Sequence, residues 1–469
     1  MSSDALDYRE AGPRQIEPAT RVRWTVMGFL CLLSFLTYFD RVCIMRVQGD
    51  IQNDLRISDQ QMGYVFSAFW LAYSLFELPG GWMGDRFGAR KTLTRIVLAW
   101  SLFMALSGSA IGFATLFTYR FLFGAGEAGA YPNIARVQSR WMPLRSQGKI
   151  SGLLWLVARW GGAFAPMLLG MLLRRVDSAG FRGFLDHQLG LHEISHLPAW
   201  RLSLWICGAF GIVWVLLFYP FFRDNPADKR SVNRAELELI TAGRETKQIE
   251  AKPHFNLQTW TALLSSRDLW ALAMFYAFGS FGWSFFVSWL PKFFKQAYQL
   301  DYSQSEGLTA LPMLVGGAAC LAGGWLSDRI IRATGKHRFG RAILPIVGRA
   351  VSAASVFAIQ YVHTPMQATA LMCLTMVAYD IGQGPSWAAI IEIGGSYSGT
   401  AAGFINMIGN MGGNVLQPII GPWIFTRYGW GTLFKVYAAL YLCSGAMWLI
   451  INPARRFYSD AEPRTSGFQ

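Results

Sequence analysis

Five charged residues stand inside stretches that are otherwise apolar: Asp40 and Arg41 in TYFDRVCIM, Arg120 and Glu127 in RFLFGAGEAGAYPN, and Arg159 in LVARWGG. A charge inside a membrane span costs at least about 2.5–3.5 kcal/mol on the insertion scale, so each needs a partner or a purpose. Glu127 lies between Gly126 and Ala128. A carboxylate so placed suits proton carriage, because dry surroundings disfavour its charged form and small neighbours leave it accessible. An arginine is never neutralised and offers a planar, bidentate receptor for a carboxylate or phosphate. Arg120 and Glu127 are seven residues apart, close to two helical turns, so they share a face about 10 Å apart. That is too far for an ion pair, and Asp40 and Arg41 on another span are the natural counterparts. Arg159 has no partner nearby in sequence. The plain alternative for all five is pairing that merely holds helices together.

A second constellation is His192-Glu193-Ile194-Ser195-His196, formally the H-E-x-x-H of zinc peptidases. On a helix its histidines would share a face, with Glu193 as base. Pro198 follows closely, no third ligand stands at a useful distance, and Asp186 and His187 read as surface residues. The expectation is a solvated amphipathic helix, with no metal and no catalysis; a membrane metalloprotease is the remote alternative. The six cysteines show no ligand spacing, and no phosphate-cradling glycine loop signals ATP use, so no cofactor is expected.

The elements that must position these charges are membrane spans. Of 469 residues, 53% are hydrophobic and only 15% charged, against about a quarter charged in soluble domains. Spans of roughly 20 apolar residues fall near 24–48, 60–82, 93–113, 115–140, 150–173, 203–222, 268–297, 304–327, 341–362, 365–391, 399–424 and 431–452. The fold class is therefore an all-α polytopic membrane protein with twelve transmembrane helices. Its net charge of +14 sits in short loops between apolar runs, which argues for membrane topology and against nucleic acid. Arg14, Arg21 and Arg23, then Arg86, Arg90 and Lys91, then Arg140, Arg145 and Lys149 gather on one side, with most of 223–267, Arg329–Arg341, Arg455 and Arg456. Both termini are thus expected in the cytoplasm. The segments are a tail (1–23, read as no signal peptide), a six-helix bundle (24–222) with an outer insertion (177–200), a cytoplasmic linker (223–267), a second bundle (268–452) and a tail (453–469). From Lys229 to Glu250 the linker reads as an amphipathic helix. The absence of an Asn-x-Ser/Thr sequon favours a bacterial plasma membrane.

The halves repeat. Gly148, Gly152, Gly161 and Gly162 recur as Gly399, Gly403, Gly412 and Gly413, each displaced by 251 positions, and Gly81-x-x-x-Asp85-Arg86 recurs as Gly324-x-x-x-Asp328-Arg329, displaced by 243. Two similar six-helix bundles flanking a midplane site is the architecture of a rocking transporter. The loop GGWMGDRFGARK resembles the signature loop of the major facilitator superfamily, which implies that Asp85, Arg86, Asp328 and Arg329 form a conformational latch between the halves.

TYFDR, AYSLFELPGGW, RFLFGAGEAGAYPN and the WR before span six together resemble the anion:cation symporter family, whose members include bacterial galactonate, glucarate and hexuronate carriers, sialin and vesicular glutamate transporters. The resemblance implies proton-coupled symport of a small organic anion, with a sugar acid as its class. It further implies that Asp40 and Glu127 carry the coupling protons, that Arg120 pairs with Asp40, and that Arg41 grips the substrate carboxylate. Tyr73, Trp387 and Asn406 match substrate-contacting positions. Two residues depart from the pattern. Glu77 stands where many relatives have glutamine; it reads as a structural carboxylate facing the cytoplasm, with a titrating site as the alternative. Arg159, whose repeat counterpart is Asn410, adds a second fixed cation and suggests a dianion or a bulkier polyhydroxy acid. An anion or organophosphate exchanger is the second transport reading. The partners expected are the anion, a proton and the bilayer, and the chain is expected to act as a monomer, not as an enzyme.

Overall fold

The computed structural model describes residues 18–242, 255–300 and 302–458, and among them every regular element is helical. α1 (Val22–Arg46), α2 (Asp59–Phe87) and α3 (Ala89–Gly108) are single helices, whereas α4 is divided into Phe113–Glu127 and Ala130–Trp141. α5 (Gln147–Val176) and α6 (Ala199–Phe221) complete the first half. The second half contains α7 (Arg267–Ser288), α8 (Tyr302–Thr334), α9 (His337–Ala358) and a divided α10, Pro365–Asp380 and Gln383–Gly394. α11 begins as Ser398–Asn410 and passes through a π-turn, Met411–Val415, into Gln417–Met447. Gly429, at φ 82°, breaks that last helix, and the part beyond it is α12.

These twelve elements follow the twelve apolar runs, with ends set by caps rather than by hydropathy. α2 starts at Asp59 because the Ser58 hydroxyl accepts from the Gln61 N–H while the Gln61 side chain accepts from the Ser58 N–H. Six helices, α1 and α5 to α9, are each long and apolar enough to cross a bilayer by themselves. The others carry charge or are interrupted, and these supply much of the polar interior. α4 turns at Gly129, whose φ of 86° suits glycine. Glu127 and Asp380 are each the last residue before the break in their helix.

The halves meet along α2–α11 and α5–α8, and glycines make that approach possible. A Cβ on Gly81 would lie 2.1 Å from the Gly399 carbonyl oxygen, and one on Gly324 would lie 2.0 Å from that of Gly148. No side chain fits there. The repeated glycines are thus the contact itself, seen twice by pseudo-symmetry. The halves therefore touch most closely at the arginine-rich end.

Part of the linker is tied to the first half. Glu236, fully buried on the short helix Arg234–Thr241, accepts from the Thr20 hydroxyl (2.6 Å) and the Val22 and Arg23 N–H groups (3.1 Å each). A carboxylate at the start of α1 complements its dipole. The helix expected from Lys229 starts later, at Arg234, because Asn233 caps it; its expected end at Glu250 lies outside the described residues.

The insertion 177–200 holds Ala179–Gly183, a π-turn Phe184–Gln188 and only four helical residues at His192–Ser195. The amphipathic helix expected here is too short to put both histidines on one face, because His196 falls after its end. His192 Nδ1 contacts the Asp186 carboxylate instead. Replacing His192 and His196 together by alanine is expected to change stability by less than about 0.5 kcal/mol, as at ordinary surface sites. Melting curves with and without chelator check this: a zinc-dependent melt lost in the variant would restore the metal-site reading.

Candidate functional site

The arginine-rich end is closed by two equivalent clusters. Asp85 accepts from the Gly399 N–H (3.3 Å), the Thr400 N–H (2.6 Å) and the Thr400 hydroxyl (2.7 Å). Asp328 accepts from the Gly148 N–H (3.2 Å) and the Lys149 N–H (2.8 Å). Each aspartate thus caps the N-terminus of a helix in the other half, where the helix dipole favours a negative charge. The charge partners are Arg136 for Asp85 and Arg341 for Asp328. Arg86 and Arg329, expected in the latch, are instead exposed and lie over the rings of Trp82 and Trp325. Each follows its aspartate by one residue, which turns it about 100° around the helix and away from the opposite half.

Beyond this closure lies a cavity lined by residues of both halves, among them Tyr38, Arg41, Tyr73, Arg159, Gln383 and Asn406. It continues into a more apolar chamber bounded by Val42, Met45, Phe66, Val287 and Met313. Arg41 donates from Nε to Glu127 at 2.7 Å, bringing together two of the residues singled out above. Its guanidinium carbon lies 4.2 Å from the Tyr73 ring centre and 5.2 Å from that of Tyr38. Aromatic faces hold a cation without neutralising it. Arg41 Nη2 and Glu127 Oε2 have no hydrogen-bond partner in the structure.

Asp40 and Arg120 do not form the hydrogen-bonded pair that the family resemblance implies. Neither oxygen of the buried Asp40 carboxylate has a hydrogen-bond partner. Arg120 Nη1 lies 3.9 Å from the Met104 sulfur, and its guanidinium carbon sits 4.2 Å from the Phe123 ring centre. The ring of its own helix holds the cation short of Asp40.

Arg159 is paired across the halves. Its Nε and Nη2 donate to the two oxygens of Asp380, at 3.2 and 2.8 Å. The guanidinium also lies 4.6 Å from the Trp283 ring centre. Sequence reading missed Asp380 as a site residue, although a carboxylate inside the apolar run 365–391 was its signal. Glu77 is also placed differently from expectation. Rather than facing the arginine-rich end, it is fully buried and accepts from Asn406 (2.9 Å) and Asn410 (2.8 Å) of α11. Asn410 is the repeat counterpart of Arg159, so amides face Glu77 where a guanidinium faces Asp380. Trp387 stands among the rings of Tyr131, Trp155 and Tyr276, at centroid distances of 5.9, 5.5 and 6.2 Å. It packs against residues that line the cavity.

A family model described as Major Facilitator Superfamily matches residues 30–415. A "Probable sulfoacetate transporter" from Cupriavidus necator is 31% identical over 92% of this chain and 94% of its own. A "Probable galactarate/D-glucarate transporter" from Escherichia coli is 27% identical over 87% of this chain and 88% of its own. Among solved structures, a proton:xylose symporter superposes with a TM-score of 0.69 at 15% identity, covering 92% of this chain and 96% of the other. The human organic anion transporter MFSD10 does so at 0.67 and 13%, covering 92% and 100%. At such identities the superpositions speak for the fold.

Proposed function

From the premise that this chain belongs to the Major Facilitator Superfamily, we propose that it is a secondary transporter of small organic anions, driven by proton symport. It is a transporter and not an enzyme, as its relatives are. The observation that carries the anion reading is the Arg41–Glu127 pair in the cavity wall. Arg41 is held by aromatic faces, and its Nη2 has no hydrogen-bond partner. A substrate carboxylate or sulfonate can displace Glu127 from this guanidinium while Tyr73 and Asn406 contact the rest of the molecule. Relatives named for sulfoacetate, galactarate or D-glucarate, D-galactonate and hexuronate support an acid of two to six carbons. Arg159 adds a second cation on the same wall and favours dianions.

Coupling is assigned to Asp40 and Glu127, with Arg120 biasing both. A protonated Glu127 no longer competes for Arg41, so proton loading opens the substrate site. Binding and protonation then favour each other, which is reciprocal linkage. With the arginine-rich end cytoplasmic in a bacterial inner membrane, the described conformation is closed to the inside. Asp85 and Asp328 must release the opposite helices before it opens inward. The exchanger reading rests on two cavity-side arginines, Arg41 and Arg159. Pairing of Arg41 and Arg159 with protein carboxylates favours the proton-coupled reading instead.

The test is a thermal-shift panel of sulfoacetate, D-glucarate, D-galactonate and glucuronate on the purified protein, since a bound ligand stabilises the folded state. Uptake into proteoliposomes follows. An outwardly acid pH gradient should drive accumulation of the stabilising acid. Uptake that responds to internal anion and ignores pH would establish exchange instead.

A further inference from the structure

We infer that Asp380 is a second exchangeable carboxylate, released from Arg159 by the second anionic group of a dianionic substrate and then carried protonated through the transport cycle. The inference rests on the anion-symport reading above and deepens it.

Three observations converge on Asp380. First, its position in the second half matches that of Glu127 in the first: each ends the initial segment of a broken helix. Second, each is fully buried and each engages an arginine of the cavity wall. Glu127 takes its arginine from its own half, whereas Asp380 takes Arg159 from the other half. Third, the second pair has been given room. A Cβ on Gly316 of α8 would lie 2.4 Å from Asp380 Oδ2, and one on Gly317 would lie 3.1 Å from the Arg159 Cβ.

A substrate anion that takes the planar fork of Arg159 must displace Asp380, because both need the same donors. The displaced carboxylate would then be buried without its cation, at a cost of several kcal/mol. Its neighbours are hydroxyls and a thiol, which can donate hydrogen bonds but carry no positive charge to replace Arg159. Cys320 of α8, Tyr38 of α1, Tyr379 of its own helix and Tyr441 of α12 face it. The nearby cation of α9, Arg349, is committed to the Tyr379 carbonyl and the Ser444 hydroxyl. A proton from the outer cavity removes the charge, and it moves inward on Asp380 with the substrate. When the substrate leaves, Arg159 recaptures the carboxylate and the proton departs to the inner water. A monoanion held by Arg41 alone leaves the Arg159–Asp380 pair closed and brings no such proton.

The experiment measures protons carried per substrate in proteoliposomes, using D-glucarate and sulfoacetate as dianions and D-gluconate as the monoanion. Asp380→Asn should carry one proton fewer per dianion than the parent, with the gluconate ratio unchanged. Its dianion affinity, read by titration calorimetry, should rise about threefold or more, because a competitor for Arg159 has gone. If the single variant does not fold, Arg159→Gln with Asp380→Asn replaces the ion pair by two amides and should show the same lost proton. An unchanged dianion ratio in either variant overturns the inference, as does weaker binding of both substrate classes in Asp380→Asn. If the parent protein carries none of these acids with protons, the symport reading itself fails. The two failures are therefore distinguishable.

Discussion

Arg41→Lys is expected to weaken substrate binding by about 1.5–3 kcal/mol, the worth of a hydrogen bond to a charged group. The charge survives the substitution, so any loss reports on geometry. In the native site Nε is spent on Glu127 at 2.7 Å while Nη2 has no protein partner. A planar group with several fixed donors can therefore pass from one acceptor to another without losing its orientation. Lysine has one nitrogen on a flexible stem and cannot pass from Glu127 to an incoming anion in that fixed arrangement. The aromatic faces of Tyr73 and Tyr38 would still bind an ammonium, which preserves folding. Calorimetry with whichever acid stabilises the parent protein decides the matter. Equal affinity in parent and variant would make Arg41 a structural cation and move substrate recognition to Arg159.

How far the site could be read from sequence depends on whether its partners lie on one helix or on two. The spans, the repeated glycines and the aspartates that bridge the halves were all legible, because each is a local pattern or one that recurs at a fixed displacement. The partners of those aspartates were not. Arg136 and Arg341 reach Asp85 and Asp328 from other helices, and the adjacent Arg86 and Arg329 drew attention by proximity in sequence alone. Arg159 was visible as a charge in an apolar run, but its partner Asp380 lies 221 positions away.

Glu77 is the instructive error. Its place just before LPGG suggested the cytoplasmic end, yet Glu77, Gly81 and Asp85 are spaced four apart and line one stripe of a helix. That stripe meets α11 throughout: Glu77 at Asn406 and Asn410, Gly81 at Gly399, and Asp85 at Thr400. Helical spacing from Asp85 would have turned Glu77 inward. What spacing could not supply is the Arg120 geometry, where the choice between Asp40 and the faces of Phe123 and Phe69 is made by packing.

Glu127→Gln is expected to abolish accumulation while sparing exchange. Its amide oxygen can still accept from Arg41 Nε, so the local hydrogen bond survives without the negative charge. The variant therefore imitates the protonated state permanently. Arg41 is then open to substrate throughout the cycle, and the closed and open forms can interconvert with substrate bound. Counterflow, in which labelled acid outside exchanges for unlabelled acid inside, needs no deprotonation and should proceed. Under the proposed proton symport, net concentration against a gradient requires the proton to leave on the inner side, where the restored carboxylate reclaims Arg41 and expels the anion. The amide has no proton to give up, so that step is lost. Asp40→Asn should also impair accumulation, with little cost to folding, because the Asp40 oxygens make no hydrogen bond that the substitution would break. Counterflow and proton-driven uptake measured side by side in proteoliposomes separate the two steps. Accumulation at the parent level in Glu127→Gln would remove Glu127 from the coupling mechanism and leave Asp40 or Asp380 to carry the proton.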